Sequence, residues 1–195
     1  MPELRIVAGQ WRGRRIQVPP SGVRPTADRV REAWMSILQR DIPDARVLDL
    51  CAGSGALGLE CLSRGAVHCD FVEQSPAVAK VLKANVQVLG AGSLAAVHVA
   101  DAVEFVERLV DGRRMTDAEG VASSLFRPYS LALADPPYAS SVAEQLASLW
   151  LRAPFSDIFG IEHAASQALP EPVAGASIDR RRYGDSAITI YRATP

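Results

Sequence analysis

The sequence has few cysteines and histidines, and it lacks any long apolar run. Its three cysteines form no CxxC pair and its three histidines are scattered. We therefore expect neither a disulfide framework nor a metal site. No run approaches the roughly 18 to 20 apolar residues of a membrane span, and residues 1–10 lack the apolar stretch of a secretory signal. A cytoplasmic protein that does not contact a membrane is expected.

Positive charge is concentrated near the N-terminus, although the whole chain of 195 residues carries a formal net charge of −1. Residues 1–31 contain seven arginines against Glu3 and Asp28, a net charge of +5, so the remaining 164 residues carry −6. A basic segment on an acidic body indicates an anionic partner such as a nucleic acid. We predict a basic arm over residues 1–22 and one domain over residues 23–195.

The arm is predicted to be a β-hairpin, and a helix is predicted to follow it. Residues 4–8 and 14–18 are short β-prone runs on either side of a glycine-containing turn of four or five residues. A proline pair then ends the hairpin. Thr26 is a suitable N-cap for a helix over residues 27–39, whose apolar residues fall on one face.

From residue 46 onward, apolar strands alternate with helices. Strands are predicted over 46–50, 68–73, 95–100 and 129–134, and helices over 56–63, 76–89, 102–110 and 142–151. This alternation indicates parallel βαβ units and hence an α/β fold. The polar residues 111–127 are predicted to form a loop. Two β-prone runs joined at Gly184 and Asp185 predict an antiparallel hairpin at one edge of the sheet.

A glycine-rich turn follows the first of these strands and opens the next helix. The spacing Gly53-x-Gly55-x-x-Gly58 places backbone amides and a helix N-terminus where open α/β sheets bind ligands. Glu73 follows Gly53 by twenty positions at the end of the second strand, which suits it to ribose hydroxyls. These residues fit NAD and S-adenosylmethionine equally, and the glycines also fit a purely structural turn.

The residues Asp135-Pro136-Pro137-Tyr138 follow the fourth predicted strand and suit the methylation of an amine. An amine that attacks a methyl group needs acceptors that orient its hydrogens, and Asp135 and the Pro136 carbonyl supply two. Tyr138 can stack on a base that has been pulled from its helix. Asp101, at the end of the third strand, suits the adenine amino group or the N-cap of the next helix. The alternative interpretation of Asp135-Pro136-Pro137-Tyr138 is a proline-rich turn in which the aspartate is an N-cap.

Further motifs lie outside the α/β core. They are Arg5-Ile-Val-Ala-Gly9, Trp11-Arg12-Gly13-Arg14, Arg24-Pro25-Thr26-x-Asp28-Arg29-Val30-Arg31-Glu32 and Tyr183-Gly184-Asp185-Ser186. Together with the glycine turn and Asp-Pro-Pro-Tyr, they resemble the bacterial RsmD family, methyltransferases for a guanine N2 of small-subunit ribosomal RNA. The resemblance runs from about residue 4 to residue 192. It implies a Rossmann-like class I methyltransferase fold with a mostly parallel seven-stranded sheet.

The resemblance also implies roles for particular residues. The implied catalytic residues are Asp135, Pro136, Pro137 and Tyr138. The implied cofactor site comprises Asp49, Ala52, Gly53, Ser54, Gly55, Glu73, Asp101 and Ala102. The implied RNA contacts are Arg5, Arg12, Arg14, Arg15, Arg24 and Arg29. Cys51 departs from the aromatic residue usual in the family, and residues 152–163 match its next strand only loosely, so no site residue is assigned there.

The implied reaction transfers a methyl group from S-adenosylmethionine to a guanine N2 of 16S ribosomal RNA. We expect the substrate within the small ribosomal subunit or an assembly intermediate, and the enzyme as a monomer. One alternative is a DNA adenine-N6 methyltransferase, although the chain has no room for residues that read a DNA site. Another is a non-catalytic RNA-binding assembly factor. Trp34 and Trp150 are expected in the core, whereas Trp11 fits equally an RNA-stacking residue and a pin for the hairpin.

Overall fold

The computed structural model describes residues 2–19, 27–116, 129–172 and 175–194. At the N-terminus, β1 (Glu3–Arg5) and β2 (Arg15–Gln17) form a two-stranded antiparallel sheet. The other elements are α1 (Ala27–Ile37), β3 (Arg46–Leu50), α2 (Ala56–Ser63), β4 (His68–Glu73), α3 (Pro76–Leu89), β5 (Ala95–Val99), α4 (Ala102–Thr116), β6 (Tyr129–Ala134), α5 (Val142–Arg152), β7 (Ser156–Ala164), β8 (Ala176–Tyr183) and β9 (Ser186–Ala193).

The central sheet has seven strands in the order β5-β4-β3-β6-β7-β9-β8. The first five strands in this order pair in parallel, and β9 pairs antiparallel with both β7 and β8. The predicted fold class is therefore confirmed. After β3 the chain builds β4 and β5 on one side and then crosses to the other side of β3 to form β6. The carboxyl ends of β3 and β6 consequently lie side by side at the point where the strand order reverses, which is where such sheets bind ligands.

Apolar side chains cover both faces of the sheet. Helices α1, α2 and α3 pack on one face around Trp34, and α4 and α5 pack on the other around Trp150. The N-terminal hairpin joins the first layer because Ile6, Trp11 and Ile16 belong to the same cluster. Trp11 is only 8% exposed, and its backbone N–H donates to Ser63 Oγ at 3.0 Å. Of the two roles left open for Trp11, the structure selects the pin that holds the hairpin to the body.

A fully buried glutamate on α2 holds the backbone of the hairpin just after β1. The two oxygens of Glu60 accept the backbone N–H groups of Val7 at 2.8 Å and Ala8 at 3.0 Å. Arg64, one turn further along α2, donates to the same carboxylate at 2.8 Å. Because Val7 and Ala8 bond to Glu60 instead of the partner strand, β1 and β2 are shorter than the runs predicted from the sequence.

A second buried polar side chain holds β2. Asn85 of α3 accepts the N–H of Gln17 at 2.8 Å and donates to the carbonyl of Gln17 at 2.9 Å. It also donates to the carbonyl of Ser54 at 2.9 Å. The amide of Asn85 therefore connects β2 directly to the glycine-rich turn after β3.

Two helix boundaries differ from the prediction by two residues or more. α1 ends two residues earlier than expected. α4 continues to Thr116, so the prediction of a loop is wrong for residues 111–116. Asp111 and Gly112 are exposed, and a polar segment without proline can extend a helix that is already nucleated. The rest of that predicted loop and the predicted N-cap Thr26 lie outside the described residues. Within the described ranges, no helix has the length and apolar character needed to cross a membrane.

Replacing Glu60 by Ala should destabilise the protein by about 2 to 4 kcal/mol, because it leaves two backbone N–H groups and Arg64 without their shared acceptor. Urea unfolding followed by tryptophan fluorescence measures this loss. Glu104→Ala on the exposed face of α4 is the matched control and should change the unfolding free energy by less than about 0.5 kcal/mol. Equal stability of the Glu60 and Glu104 variants would contradict the anchoring role.

Candidate active site

One cleft opens where β3 and β6 end. Leu50 and Ala134 are register partners in these parallel strands, so the residues that follow each strand are brought together. The cleft has a volume of about 430 Å³, within the range of small-molecule sites. Its walls include the hairpin, α1, the glycine-rich turn and the Asp-Pro-Pro-Tyr segment. The lining residues are Leu4, Val18, Pro19, Arg31, Trp34, Asp49, Cys51, Ala52, Gly53, Ser54, Ala56, Leu57, Glu73, Val78, Asp135, Pro136, Pro137, Tyr138 and Glu162.

Two glycines and the carboxylate of Glu73 determine the conformation of the glycine-rich turn. Gly53 has a φ of +56°, and a side chain there would point into open space. Gly55 has a φ of +81°, a conformation that other residues rarely adopt, and a Cβ there would lie 2.3 Å from Leu82 Cδ1 of α3. Glycine is therefore favoured at this position. Glu73 closes the turn, because its carboxylate accepts the N–H of Gly53 at 2.9 Å and that of Ser75 at 2.7 Å.

Acidic side chains outnumber the basic Arg31 among the described residues that line the cleft. Asp49 is 2% exposed, and its Oδ2 accepts the N–H of Gly58 at 2.9 Å. Burial raises the pKa of Asp49 to about 8; the Gly58 hydrogen bond opposes this rise, and the charges of Asp135 and Glu73 add to it. The site therefore combines a protonated acid at its floor with carboxylates at its walls. Such an arrangement favours a cationic ligand.

Tyr138 is fixed by hydrogen bonds from two other strands. Its hydroxyl donates to Glu162 Oε1 on β7 at 2.5 Å, and it also contacts Ser186 Oγ on β9. Glu162 Oε2 in turn accepts the indole N–H of Trp34 at 3.4 Å. Burial and the hydrogen bond to Glu162 raise the pKa of Tyr138 to about 12, so the phenol remains a donor at neutral pH.

Glu162 is one of the cleft residues to which the sequence analysis assigned no role, and Arg31 is another. Glu162 lies in the segment 152–163, to which no site residue was assigned. The available signal was an acidic residue within an otherwise apolar run, Ile-Phe-Gly-Ile-Glu, since a charge in a buried strand needs a partner or a function. Trp34 was expected only in the core; it is fully buried and also forms part of the cleft wall.

Most of the other candidate residues lie at or near this cleft. Ala52 and Ser54 line it beside Gly53. Asp101 is not among the residues that line the cleft. Its Oδ1 accepts the N–H groups of Val103 and Glu104, so it acts as a helix N-cap. Ala102, the next residue, is buried. Contact of any of the candidate residues with a cofactor or a substrate stays a prediction. The exposed candidate RNA contacts are Arg5, Arg12, Arg14, Arg15 and Arg29, and Arg24 lies outside the described residues.

Comparison with known proteins identifies the family. A family model described as conserved hypothetical protein 95 matches residues 4–192. Ribosomal RNA small subunit methyltransferase D of Escherichia coli (strain K12) is 34% identical over 197 residues, covering 97% of this chain and 90% of that protein. The chain belongs to the RsmD family. Its Haemophilus influenzae relative of the same name is 36% identical over 157 residues, covering 77% of this chain and 74% of the relative.

A solved structure supports the same placement. The RsmD-family chain superimposes on a putative methyltransferase from Escherichia coli with a TM-score of 0.80 at 33% identity, covering 98% of both chains. Two of the RsmD motifs quoted from the sequence reach the cleft in the part of the chain that the structure describes. Arg31 lines the cleft, and Ser186 of the C-terminal motif contacts Tyr138. Motifs separated by more than a hundred positions thus meet at one site.

The raised pKa of Asp49 predicts a specific pH dependence of stability. The folded protein retains a proton on Asp49 up to about pH 8, whereas the unfolded chain releases it near pH 4. The contribution of Asp49 protonation to the free energy of unfolding is complete below about pH 4. It is lost as the pH rises towards 8, at up to about 1.4 kcal/mol per pH unit. Asp49→Asn should remove this pH dependence of stability, because the amide does not titrate.

Urea unfolding of both proteins between pH 5 and 8 measures the effect. The wild type should lose stability relative to Asp49→Asn as the pH rises. The exposed Asp179→Asn is the control, for which the difference from wild type should stay nearly constant. Parallel curves for the wild type and Asp49→Asn would show that Asp49 is already ionised at pH 5.

Proposed function

We propose that this chain is an S-adenosylmethionine-dependent methyltransferase that modifies a guanine N2 amine of small-subunit ribosomal RNA. The chain is a ribosomal RNA methyltransferase by family, and S-adenosylmethionine is the methyl donor. One observation supports the methylation of an exocyclic amine: the glycine turn with Glu73 and the Asp-Pro-Pro-Tyr segment line the same cleft. A donor site and an amine-orienting site are therefore adjacent. The guanine N2 target is what the resemblance to the RsmD family implies.

The donor half of the cleft fits the cofactor by charge and shape. When bound, S-adenosylmethionine supplies a methyl group on a positively charged sulfur. Glu73 keeps further lone pairs for ribose hydroxyls while it holds the N–H of Gly53. The open space beside Gly53 lets a ligand approach the backbone of the turn. The negative potential from Glu73 and Asp135 favours the cationic donor over its neutral demethylated product.

The acceptor half is suited to an exocyclic amine. The Pro137 carbonyl accepts the N–H of Ser140 at 3.1 Å and its hydroxyl at 2.6 Å, which fixes the segment. Asp135 and the Pro136 carbonyl are then the two acceptors that orient the hydrogens of the amine, so that its lone pair points at the methyl carbon. Tyr138 supplies a ring on which the target base stacks.

The hairpin borders the cleft and is the proposed RNA-binding surface. Leu4, Val18 and Pro19 form part of the cleft wall, so Arg5 directly follows a cleft residue. The turn with Arg12 and Arg14 lies further from the cleft, against the C-terminal ends of α2 and α3. Phosphate contacts of arginine position an RNA but do not select a base. Selection of one guanine therefore depends on the shape of the substrate, as a small subunit or an assembly intermediate, and on the pocket around Tyr138.

Asp135→Ala should lower the turnover number by at least about 100-fold, because the amine loses an acceptor needed in the transition state. Binding of S-adenosylmethionine, measured by calorimetry, should change much less. The assay incubates protein and labelled donor with naked ribosomal RNA, isolated small subunits and DNA, and digests the products to nucleosides.

The expected product is N2-methylguanosine from RNA. Methylated adenine from DNA would favour the DNA-modifying alternative, and donor binding without any methyl transfer would favour an assembly factor. Tight NAD binding would overturn the donor assignment. Glu104→Ala is the control variant and should retain full turnover.

Neutralising arginines on the hairpin should weaken RNA binding in a salt-dependent manner. Arg14 and Arg15 also contact Val88 and Glu3 within the protein, so the test uses Arg5→Gln with Arg12→Gln. Each lost phosphate contact flattens the slope of log affinity against log salt by about 0.7 to 0.9, so this pair should flatten it by up to about 1.8.

The matched control is Arg108→Gln with Arg152→Gln, on α4 and α5 across the sheet from the hairpin. It removes the same charge and should leave the slope unchanged. Equal slopes for the two double variants would show that the RNA contacts lie elsewhere than on the hairpin. The test uses point substitutions because deleting the hairpin would remove Ile6, Trp11 and Ile16 from the core.

A further inference from the structure

Glu162 occupies an unusual position for an acidic side chain. It lies on β7, a strand paired on both edges, and it is only 9% exposed. It also lines the cleft that holds Asp135 and Tyr138. A carboxylate that is buried on a central strand costs free energy unless donors satisfy it, so its hydrogen bonds indicate its role.

Both oxygens of Glu162 accept hydrogen bonds from aromatic residues. Oε1 accepts the phenol proton of Tyr138 at 2.5 Å, and Oε2 accepts the indole N–H of Trp34 at 3.4 Å. A phenol has a single proton, so the Ser186 hydroxyl donates to the phenol oxygen. The ring of Tyr138 is thus held from both β7 and β9.

The carboxylate itself is held firmly in place. Trp34 is fully buried, and a Cβ at Gly160 would lie 2.3 Å from Trp34 Cζ3, so the indole packs directly on the backbone of β7. By contrast, Tyr138 belongs to the segment after β6, outside the regular strand. A rigid strand therefore restrains a residue on a loop, which is the requirement for a precisely placed functional group.

We propose that Glu162 is a positioning residue that holds the Tyr138 ring in the orientation needed to stack the target base. This inference rests on the proposed function of Tyr138. By fixing the phenol before the substrate arrives, Glu162 removes part of the entropic cost of ordering the ring during the reaction. Glu162 acts through Tyr138 and does not itself touch the base.

A double-mutant cycle separates this role from direct substrate contact. Glu162→Ala should lower the turnover number about 10- to 100-fold, with donor affinity within about twofold of wild type. Tyr138→Phe keeps the ring but removes the hydroxyl, and should produce a similar loss. In the Tyr138→Phe background, Glu162→Ala should cost less than about threefold more, because the contact it removes is already absent. Independent, multiplying losses would overturn the proposal.

A conservative variant keeps the test valid if Glu162→Ala does not fold. Glu162→Gln retains an acceptor oxygen for the phenol, so it should keep turnover within about fivefold of wild type. Loss of turnover in a folded Glu162→Gln variant that still binds the donor would show that the charge, and not the contact to Tyr138, is required. Glu104→Gln on α4 is the matched control.

A spectroscopic measurement is independent of any methyl transfer. The chain has four tyrosines, so fluorotyrosine labelling gives a small set of fluorine NMR signals, and Tyr138→Phe identifies the one from Tyr138. Glu162→Ala should shift and narrow that signal as the ring gains freedom, while Glu104→Ala should not. An unchanged Tyr138 signal would overturn the positioning role. If no RNA is methylated but the signal changes, the proposed function fails and the contact between Glu162 and the ring stands.

Discussion

The parallel pairing of β3 with β6 is the constraint on which the site depends. These strands are far apart in the chain, yet Leu50 and Ala134 are register partners, so the segments that follow them share one edge of the sheet. The strand order reverses here, which is where such sheets leave a crevice for a ligand. The glycine turn and the Asp-Pro-Pro-Tyr segment therefore face a common space. Neither segment alone forms a cleft, and a sheet with a different strand order would separate them.

The charge distribution of the cleft follows from burial. Asp49 lies behind the glycine turn, where desolvation and the neighbouring carboxylates keep it protonated, while Glu73 and Asp135 stand at the walls. A site with this character is poorly suited to a phosphate-rich dinucleotide, because carboxylates repel anions. It is well suited to a cationic methyl donor. The RNA, a polyanion, is expected to meet arginines on the hairpin beside the cleft, so charges of opposite sign serve the two ligands.

The hairpin is part of the body because buried polar groups hold it there. Glu60 binds the backbone just after β1, Asn85 binds Gln17 of β2, and Trp11 packs beneath the hairpin. Asn85 also holds the carbonyl of Ser54, so the proposed RNA-binding unit and the glycine turn share one side chain. The two proposed binding surfaces consequently have a fixed relative position. A freely hinged arm would bring charge to the RNA without aligning the RNA with the cleft.

The sequence by itself determined the features that depend on local pattern. Strand and helix alternation, the turn through Gly53 and Gly55, and Asp135 to Tyr138 are readable because their physical requirements fall within a few neighbouring residues. Tertiary structure decided what depends on distant partners. Glu162 meets Trp34 across 128 positions and Glu60 meets Val7 across 53, and no periodicity encodes such pairs. Burial of a charge becomes favourable only when its partners are in place, so the fold had to assign these roles.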